Sequence, residues 1–245
     1  MGYAMTDSPS SGTTASDDST ARAENLPRTA WANGSAMMRD YYDHEWGLPV
    51  TTEAGLYERV CLEGFQAGLS WATILARRDA FRRAFADFDP DVVAKYTDRT
   101  VEALLRDASI IRSKPKIMAA IGNARATLDL RRAADQDPML QGFSLPLQNG
   151  SSLQIGSGLP ALVWSHAPET TPSPTRAEEV PTQSPESVAL ARALKKHGFR
   201  FVGPTTIFAL MEAVGMVDTH WVGSHKRAVS KIYSPEGRRH AFVVD

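Results

Sequence analysis

The segment HGFRFVGPTTIFALMEAVG, residues 197–215, has the composition of a phosphate-binding turn between two helices. Gly203 allows a ligand to approach the backbone closely, and Pro204 is accepted at the first position of a helix, where its missing N–H costs nothing. The free N–H groups of the following turn point towards an anion. This is the physics of a helix-hairpin-helix motif, which binds the DNA backbone without reading its sequence. The residues expected at this interface are Lys196, Arg200, Gly203, Thr205 and Thr206.

An ordinary helix connection that begins with Gly-Pro is the alternative interpretation of this segment. The overall charge does not favour DNA binding, because 27 Lys and Arg face 28 Asp and Glu, a net charge of -1. Residues 1–27, however, hold four acidic residues and one basic residue, which leaves a charge of +2 for the remaining chain. The part that we expect to fold is therefore mildly basic.

The composition is that of a soluble globular protein, with 245 residues, 42% hydrophobic and 22% charged. Cys61 is the single cysteine of the sequence, which excludes an internal disulfide. It lies in an apolar run, which indicates core packing. There is no apolar stretch of about 18 residues and no cationic N-terminus followed by an apolar segment. We therefore expect a cytoplasmic protein without a membrane span or a secretory signal.

Two regions are poor in large apolar side chains. Residues 1–27 are rich in Ser, Thr, Asp and Ala, and they predict a disordered tail before one domain of residues 28–245. From about 136 to 182, Pro, Gly, Ser and Thr predict two mobile loops on either side of a packed segment around Trp164.

The remaining pattern predicts a mainly α fold, because apolar residues recur at helical spacing and no run alternates long enough for a strand. Pro90 is expected to open a helix that Asp89 caps, and Thr100 to begin another. The other predicted helices are 53–71, with a break near Gly64 or Gly68, and then 77–85, 116–130, 185–196 and 205–214.

Several motifs together carry a resemblance to a known family. They are YYDHEWGLPV, CLEGFQAGLSW, IIRSKPKIMAAIGNARA and LKKHGFRFVGPTTIFALMEAVGMVDTH followed by WVG. In this order, over about residues 31–223, they resemble DNA-3-methyladenine glycosylase I of the helix-hairpin-helix DNA glycosylase superfamily. The resemblance implies the helical glycosylase fold and a monofunctional enzyme that hydrolyses the N-glycosidic bond of N3-methyladenine in alkylated DNA, the first step of base excision repair.

The resemblance also implies a base-binding pocket. N3-methylation leaves a positive charge on adenine and makes it a good leaving group, so the enzyme gains most by extruding the base and holding the cation. Glu63 matches the family glutamate that contacts the flipped base, and an unpaired carboxylate in its apolar helix needs a cationic or hydrogen-bonding guest. Tyr41 matches a pocket tyrosine, and these two residues are the expected catalytic pair.

Four further residues are expected to bind the base. Trp71 would offer a stacking face, because eight residues along a continuous helix bring it to nearly the same side as Glu63. Trp46 would close the aromatic box, Gln66 would contact a polar edge, and Met38 stands where the family commonly has a tyrosine. Taken singly, the two tryptophans would more often be core residues, and the glutamate could pair structurally.

The family's zinc site is not retained. Many members hold zinc with two cysteines and two histidines, and the matching positions here are Thr29, Tyr42, His220 and Ser224. Hydroxyl oxygens make a poor tetrahedral zinc site, so we expect no metal and no other cofactor. His44 lies two residues after Tyr42, and His225 follows Ser224, so a site could be imagined from these two residues and His220. Scattered histidines, however, are more often solvated or hydrogen-bonded than bound to a metal.

Relatives in the superfamily that have lyase activity carry a lysine in the second hairpin helix. The predicted helix 205–214 contains none, so the resemblance implies hydrolysis without lyase activity. Asp218 follows that helix and could stabilise an oxocarbenium-like sugar. The expected partner is double-stranded DNA with alkylated bases, bound by a monomer. A non-catalytic binder of alkylated DNA is the alternative function, favoured by the lost zinc ligands and Met38.

Overall fold

The computed structural model describes residues 26–239, and helices dominate this range. The predicted tail lies outside the described residues, apart from its last two positions. The α-helices are α1 Ala36–His44, α2 Glu53–Gln66, α3 Trp71–Leu75, α4 Arg78–Ala84, α5 Pro90–Val93, α6 Asp98–Arg106, α7 Lys114–Ala133, α8 Leu159–Trp164, α9 Pro185–Lys196 and α10 Pro204–Ala213. Short 3-10 helices cover Ala30–Gly34, Ala86–Phe88, Pro138–Leu140 and Ala177–Glu179.

Many helix starts are fixed by a side chain that accepts a hydrogen bond from the first turn. The residues that do so are Ser35, Thr52, Ser70, Asp89 and Ser184. The Asp89 cap agrees with the prediction from sequence. The Ser70 cap begins a new helix directly after α2, which determines where the side chains of α3 point.

The core contains two clusters of buried side chains. The larger one surrounds α2, which packs against both α7 and α10, and it includes Cys61 as predicted. The smaller one joins α1 to the end of α10 and includes Tyr41, Tyr42 and Trp46. The candidate site lies where α1, α2, α3 and α10 meet.

Helices α9 and α10 pack against each other as a hairpin, joined by residues 197–203. The side chain of Asn123, on α7, fixes this connection: its Nδ2 donates to the carbonyl of Arg200 at 3.2 Å, and its Oδ1 accepts from the N–H of Arg200 at 2.8 Å. Gly64 on α2 faces the connection, where an added Cβ would lie 3.2 Å from the Cβ of Phe201. The hairpin is thus held against the two central helices.

The predicted break in the helix 53–71 is confirmed near Gly68: α2 ends at Gln66, the chain turns at Gly68 with φ of +78°, and Ser70 caps α3. One predicted helix start was wrong. Helix α6 begins at Asp98 rather than at Thr100. Thr97 is its N-cap, and the Thr100 side chain accepts from the Thr97 backbone in a capping box.

The prediction that the fold contains no strand was also wrong. Phe143–Pro146 and Ser152–Ile155 form a two-stranded antiparallel sheet, with Phe143 opposite Ile155. The strands are too short to show a clear alternation. The first of the two predicted mobile loops therefore contains this hairpin, and buried Leu145 and Ile155 attach it to the core. Helix α8 is the packed segment predicted around Trp164.

Among residues 26–239, no helix combines the length and apolar character needed to cross a bilayer.

Candidate active site

A cavity of about 900 Å³ opens between α1, α2, α3 and α10. Every pocket residue predicted from sequence lines it: Met38, Tyr41, Trp46, Glu63, Gln66 and Trp71. Part of its wall comes from the segment that precedes α9, through Ala177, Val180, Pro181 and Thr182. The structure therefore brings together side chains that come from three separate helices and the turn after α1.

Glu63 presents a buried carboxylate to this cavity, with 5% of the residue exposed. Within the described part of the chain, no side chain or backbone group makes a hydrogen bond to this carboxylate. Burial raises the pKa of Glu63 to about 8, nearby Arg59 acts in the opposite direction, and Glu212 adds to the rise. A carboxylate in this position gains from a cationic guest.

Arg59 lies one helical turn before Glu63 and is also buried. Its guanidinium carbon is 5.8 Å from the centre of the Tyr41 ring. The same guanidinium forms an ion pair with Glu45, which Arg78 also contacts. Glu45 is therefore the direct counter-charge of both arginines, and Glu63 has no direct ion pair among the described residues.

Aromatic rings form the walls of the cavity. Tyr41 and Trp71 have ring centres 5.4 Å apart at an angle of 44°, and Trp31 meets Trp46 edge-on at 5.2 Å. Burial raises the pKa of Tyr41, so its hydroxyl remains protonated and can donate a hydrogen bond. Trp71 reaches the cavity from α3, so the prediction that it shares one continuous helix with Glu63 was wrong.

Glu212 also lines the cavity, and the analysis of the sequence missed it. Its position on α10 was treated only as part of the DNA-binding hairpin. Burial raises its pKa to about 7, although the Thr219 hydroxyl donates to its Oε1 at 2.5 Å. The available signal was that Glu212 is a single acidic residue in an otherwise apolar segment, IFALMEAVG, as Glu63 is in CLEGF.

The hairpin places its predicted DNA-binding residues at the surface. Lys196, Arg200 and Thr205 are exposed, and Thr206 and Gly203 are partly exposed. Gly203 is the N-cap of α10, followed by Pro204 at the first helical position, as predicted. Thr205 also lines the cavity, so the start of α10 lies at the cavity's edge.

Three of the four positions that match the family's zinc ligands, Tyr42, His220 and Ser224, lie together, but the chemistry of the set does not fit zinc. The hydroxyls of Tyr42 and Ser224 are hydrogen-bonded to each other at 2.8 Å. His220 donates through Nδ1 to the Asp218 carboxylate, 2.7 Å away, and its Nε2 has no hydrogen-bond partner within residues 26–239. Thr29 is buried and supplies only a hydroxyl.

The turn after α1 depends on a glycine beside this cluster. Gly47 has a φ of +79°, and a Cβ there would collide with the ring of His220. His44 and His225 contact Asp40 and Asp43 at 3.0 Å each. The described residues contain no group of three or more His, Cys, Asp or Glu side chains placed to hold a metal ion.

Asp218 does not line the cavity. Its carboxylate accepts from the backbone N–H of His220 at 3.0 Å and from that of Ala228 at 2.7 Å, and Arg227 lies 3.5 Å away. These bonds fix the segment after α10. The role in sugar stabilisation considered for Asp218 is therefore not supported by its position.

Comparisons with known proteins agree with this geometry. The family described as methyladenine glycosylase matches residues 31–152 and 147–227. DNA-3-methyladenine glycosylase 1 of Escherichia coli (strain K12) is 40% identical over 201 residues, which is 81% of this chain and 95% of that protein. A crystal structure of 3-methyladenine DNA glycosylase I has a TM-score of 0.69 at 37% identity and covers 81% of this chain and 98% of its own. A structure describing 3-methyladenine recognition by the Staphylococcus aureus enzyme has the same TM-score at 26% identity, covering 84% and 97%.

Proposed function

The chain belongs to the methyladenine glycosylase family, and from this premise we infer that it hydrolyses the N-glycosidic bond of N3-methyladenine in alkylated DNA. The observation that carries the inference is the buried Glu63 carboxylate, which faces an aromatic-walled cavity without a direct ion pair among the described residues. Such a site suits an extruded purine with a positive charge. It suits a neutral base less well.

Each pocket side chain has a role in this proposal. Glu63 attracts the cationic base, and the Tyr41 hydroxyl donates a hydrogen bond to its edge. Trp71 stacks on the ring, with cation–π attraction for a charged purine. Trp46, Gln66 and Met38 complete the walls.

The reaction requires little help from an acid. The bond between C1′ of the sugar and the base breaks, and its electron pair neutralises the positive charge of the departing base. Water adds to C1′ and loses a proton, which leaves an abasic site and neutral 3-methyladenine. The protein therefore contributes mainly by extruding and orienting the nucleotide.

The hairpin supports binding of double-stranded DNA in this proposal. The first-turn N–H groups of α10 would meet a phosphate, with Lys196 and Arg200 adding positive charge nearby. Thr205 and Thr206 would contact the same backbone. We further propose that the chain acts in the cytoplasm. We propose that it acts as a monomer, because one base-extruding site and one hairpin suffice for the reaction.

No structural zinc is part of this proposal. Three hydroxyls and one imidazole do not provide the thiolate and imidazole set that a tetrahedral zinc site uses. The Tyr42 and Ser224 hydroxyls, which satisfy each other, support this view.

The test is release of 3-methyladenine from alkylated genomic DNA, with the product identified by chromatography. We expect release by the parental chain and slow release by Glu63→Gln. Tight binding of alkylated DNA by the parental chain without any release would support the alternative, a non-catalytic binder.

A further inference from the structure

Glu212 is a partly buried acidic side chain at the cavity, and the proposed reaction has assigned it no role. It extends from α10 into the space that Glu63 faces from α2. The only hydrogen bond to its carboxylate within residues 26–239 comes from the Thr219 hydroxyl, to Oε1 at 2.5 Å. Its second oxygen is therefore available to a ligand.

When every acidic group near the cavity is ionised, the charges there do not balance. Arg59 and Arg78 both form ion pairs with Glu45. Glu63 and Glu212 add two further carboxylates, neither of which has a direct ion pair among the described residues. Together these five side chains carry one more negative than positive charge when all are ionised. A cationic ligand would neutralise this excess, and a neutral one would not.

We propose that Glu212 is a second base-binding carboxylate, which contacts the extruded base from α10 and, with Glu63, selects purines that carry a positive charge. The proposal rests on the function proposed above and assigns a further specificity-determining residue to it. Two carboxylates on different helices can contact two edges of one purine, and both of these line the same cavity of about 900 Å³.

The position of Glu212 also connects the two parts of the site. It lies nine residues after Gly203 on α10, about 13 Å along the helix axis at a rise of about 1.5 Å per residue. The helix whose first turn would bind a phosphate therefore carries the second carboxylate into the pocket. A shift of this helix on the DNA backbone would move Glu212 relative to the base.

The experiment compares a cationic and a neutral base. Release of 3-methyladenine from alkylated DNA is measured under single-turnover conditions with subsaturating enzyme. Affinity is measured with a duplex that carries 3-deaza-3-methyladenine, a neutral isostere with carbon in place of N3. The variant is Glu212→Gln, whose amide oxygen can still accept from Thr219. The matched control is Glu102→Gln, the same change on the exposed side of α6.

We expect Glu212→Gln to slow release by about ten- to one-hundred-fold, the effect of losing a contact to a charged group, and to leave affinity for the neutral duplex unchanged. Glu102→Gln should match the parental chain in both measurements. Thr219→Val keeps the Glu212 carboxylate and removes its hydroxyl partner. It should slow the release of 3-methyladenine less than Glu212→Gln does.

Release by Glu212→Gln at the parental rate would overturn the proposal. Equal losses in release and in neutral-duplex affinity, shared by Thr219→Val, would also overturn it, because they would show a structural role. Absence of release by the parental chain would instead refute the proposed function, so the two failures can be told apart.

Discussion

The hydroxyl oxygens of Tyr42 and Ser224 lie 2.8 Å apart, although 182 residues separate them in the sequence. This hydrogen bond connects α1 to the segment after α10. The Tyr42 ring also stacks on Trp46, with centres 5.5 Å apart, and meets the edge of His220 at 5.2 Å. A polar contact and aromatic packing thus join α1 to the segment after α10 at the position where the resemblance implies a zinc in other members.

Metal content is the first prediction. Purified protein should contain well under one zinc per chain, and its melting temperature should not change in chelator, because hydroxyls replace the thiolates. Tyr42→Phe should lower the free energy of unfolding by about 1 kcal/mol through loss of the hydrogen bond to Ser224. Stoichiometric zinc by elemental analysis would show that this interpretation is wrong.

The second prediction concerns the backbone contact. Gly203→Asp should weaken binding to damaged and undamaged duplex alike, because it places negative charge where a phosphate is expected. The fold should tolerate the change, since a Cβ at Gly203 meets no atom within 4 Å and aspartate is a good N-cap. Binding is measured at fixed salt.

Gly203→Ala is the matched control, because it adds the Cβ without the charge. Affinity should fall much less than with Gly203→Asp. If both variants bind like the parental chain, this hairpin is not the DNA contact.

The third prediction concerns how the hairpin is held. Asn123→Ala leaves the N–H and carbonyl of Arg200 without their partner, which should cost about 2 kcal/mol of unfolding free energy. DNA affinity should fall with it, because the connection before Gly203 loses its anchor. Chemical denaturation and duplex binding measure the two effects, and an unchanged stability would contradict this account.

Sequence patterns predicted the parts of the fold that depend on local chemistry. Asp89 and Pro90 signal a helix start by themselves, and Gly203 with Pro204 does the same for α10. The break near Gly68 was predicted, but the new helix that the Ser70 cap begins was not, so Trp71 was placed on one continuous helix with Glu63. The strand pair at Phe143 was missed, since pairing with residues 152–155 is a non-local effect.

In the candidate pocket, too, some residues could be identified from local sequence and others only from the packing of the helices. Glu63, Tyr41 and Trp71 could be chosen because their motifs resemble those of a family, and all three line the cavity. Glu212 could not be assigned to the pocket in this way, because its orientation depends on how α10 packs against α2. Asn123 lies in an apolar stripe of α7, and only the folded chain shows that its amide faces Arg200.

The fourth prediction concerns stacking. Trp71→Ala should reduce affinity for the extruded base by ten-fold or more, since stacking contributes about 1–3 kcal/mol per base. The Trp71 ring is half-buried and contacts Tyr41 at the cavity wall, so some loss of stability is also expected. Binding to undamaged duplex is the control and should not change. Equal affinities for free 3-methyladenine in variant and parent would refute the stacking role.

The last prediction concerns the charge of Glu63, tested with Glu63→Gln. The amide keeps the shape of the side chain, so the fold and the backbone binding should be preserved while release of 3-methyladenine slows. Undamaged duplex should bind equally well to both proteins, because its bases stay stacked and the hairpin carries the contact. Folding is confirmed by circular dichroism.

The pH dependence distinguishes charge from shape. Burial raises the pKa of Glu63 to about 8, and Arg59 opposes this rise while Glu212 adds to it. Because kcat/KM reports ionisation of the free enzyme, the parental kcat/KM should increase as pH rises towards 8 and the carboxyl becomes charged. In Glu63→Gln, the part of the increase in kcat/KM that comes from Glu63 should be absent. Only the pH dependence of kcat/KM caused by Glu212, whose pKa is about 7, should remain.

The stability of the protein should change with pH in the opposite direction. Between the ordinary pKa of 4.5 and about 8, the folded chain holds a proton on Glu63 that the unfolded chain has lost. The free energy of unfolding contributed by this group therefore falls as pH rises through that window. Glu63→Gln removes this dependence, so its stability relative to the parental chain should improve from pH 5 to pH 8, by on the order of 3 kcal/mol. If the parental chain and Glu63→Gln show the same pH dependence of stability and the same pH dependence of kcat/KM, Glu63 is not a charged group of the pocket.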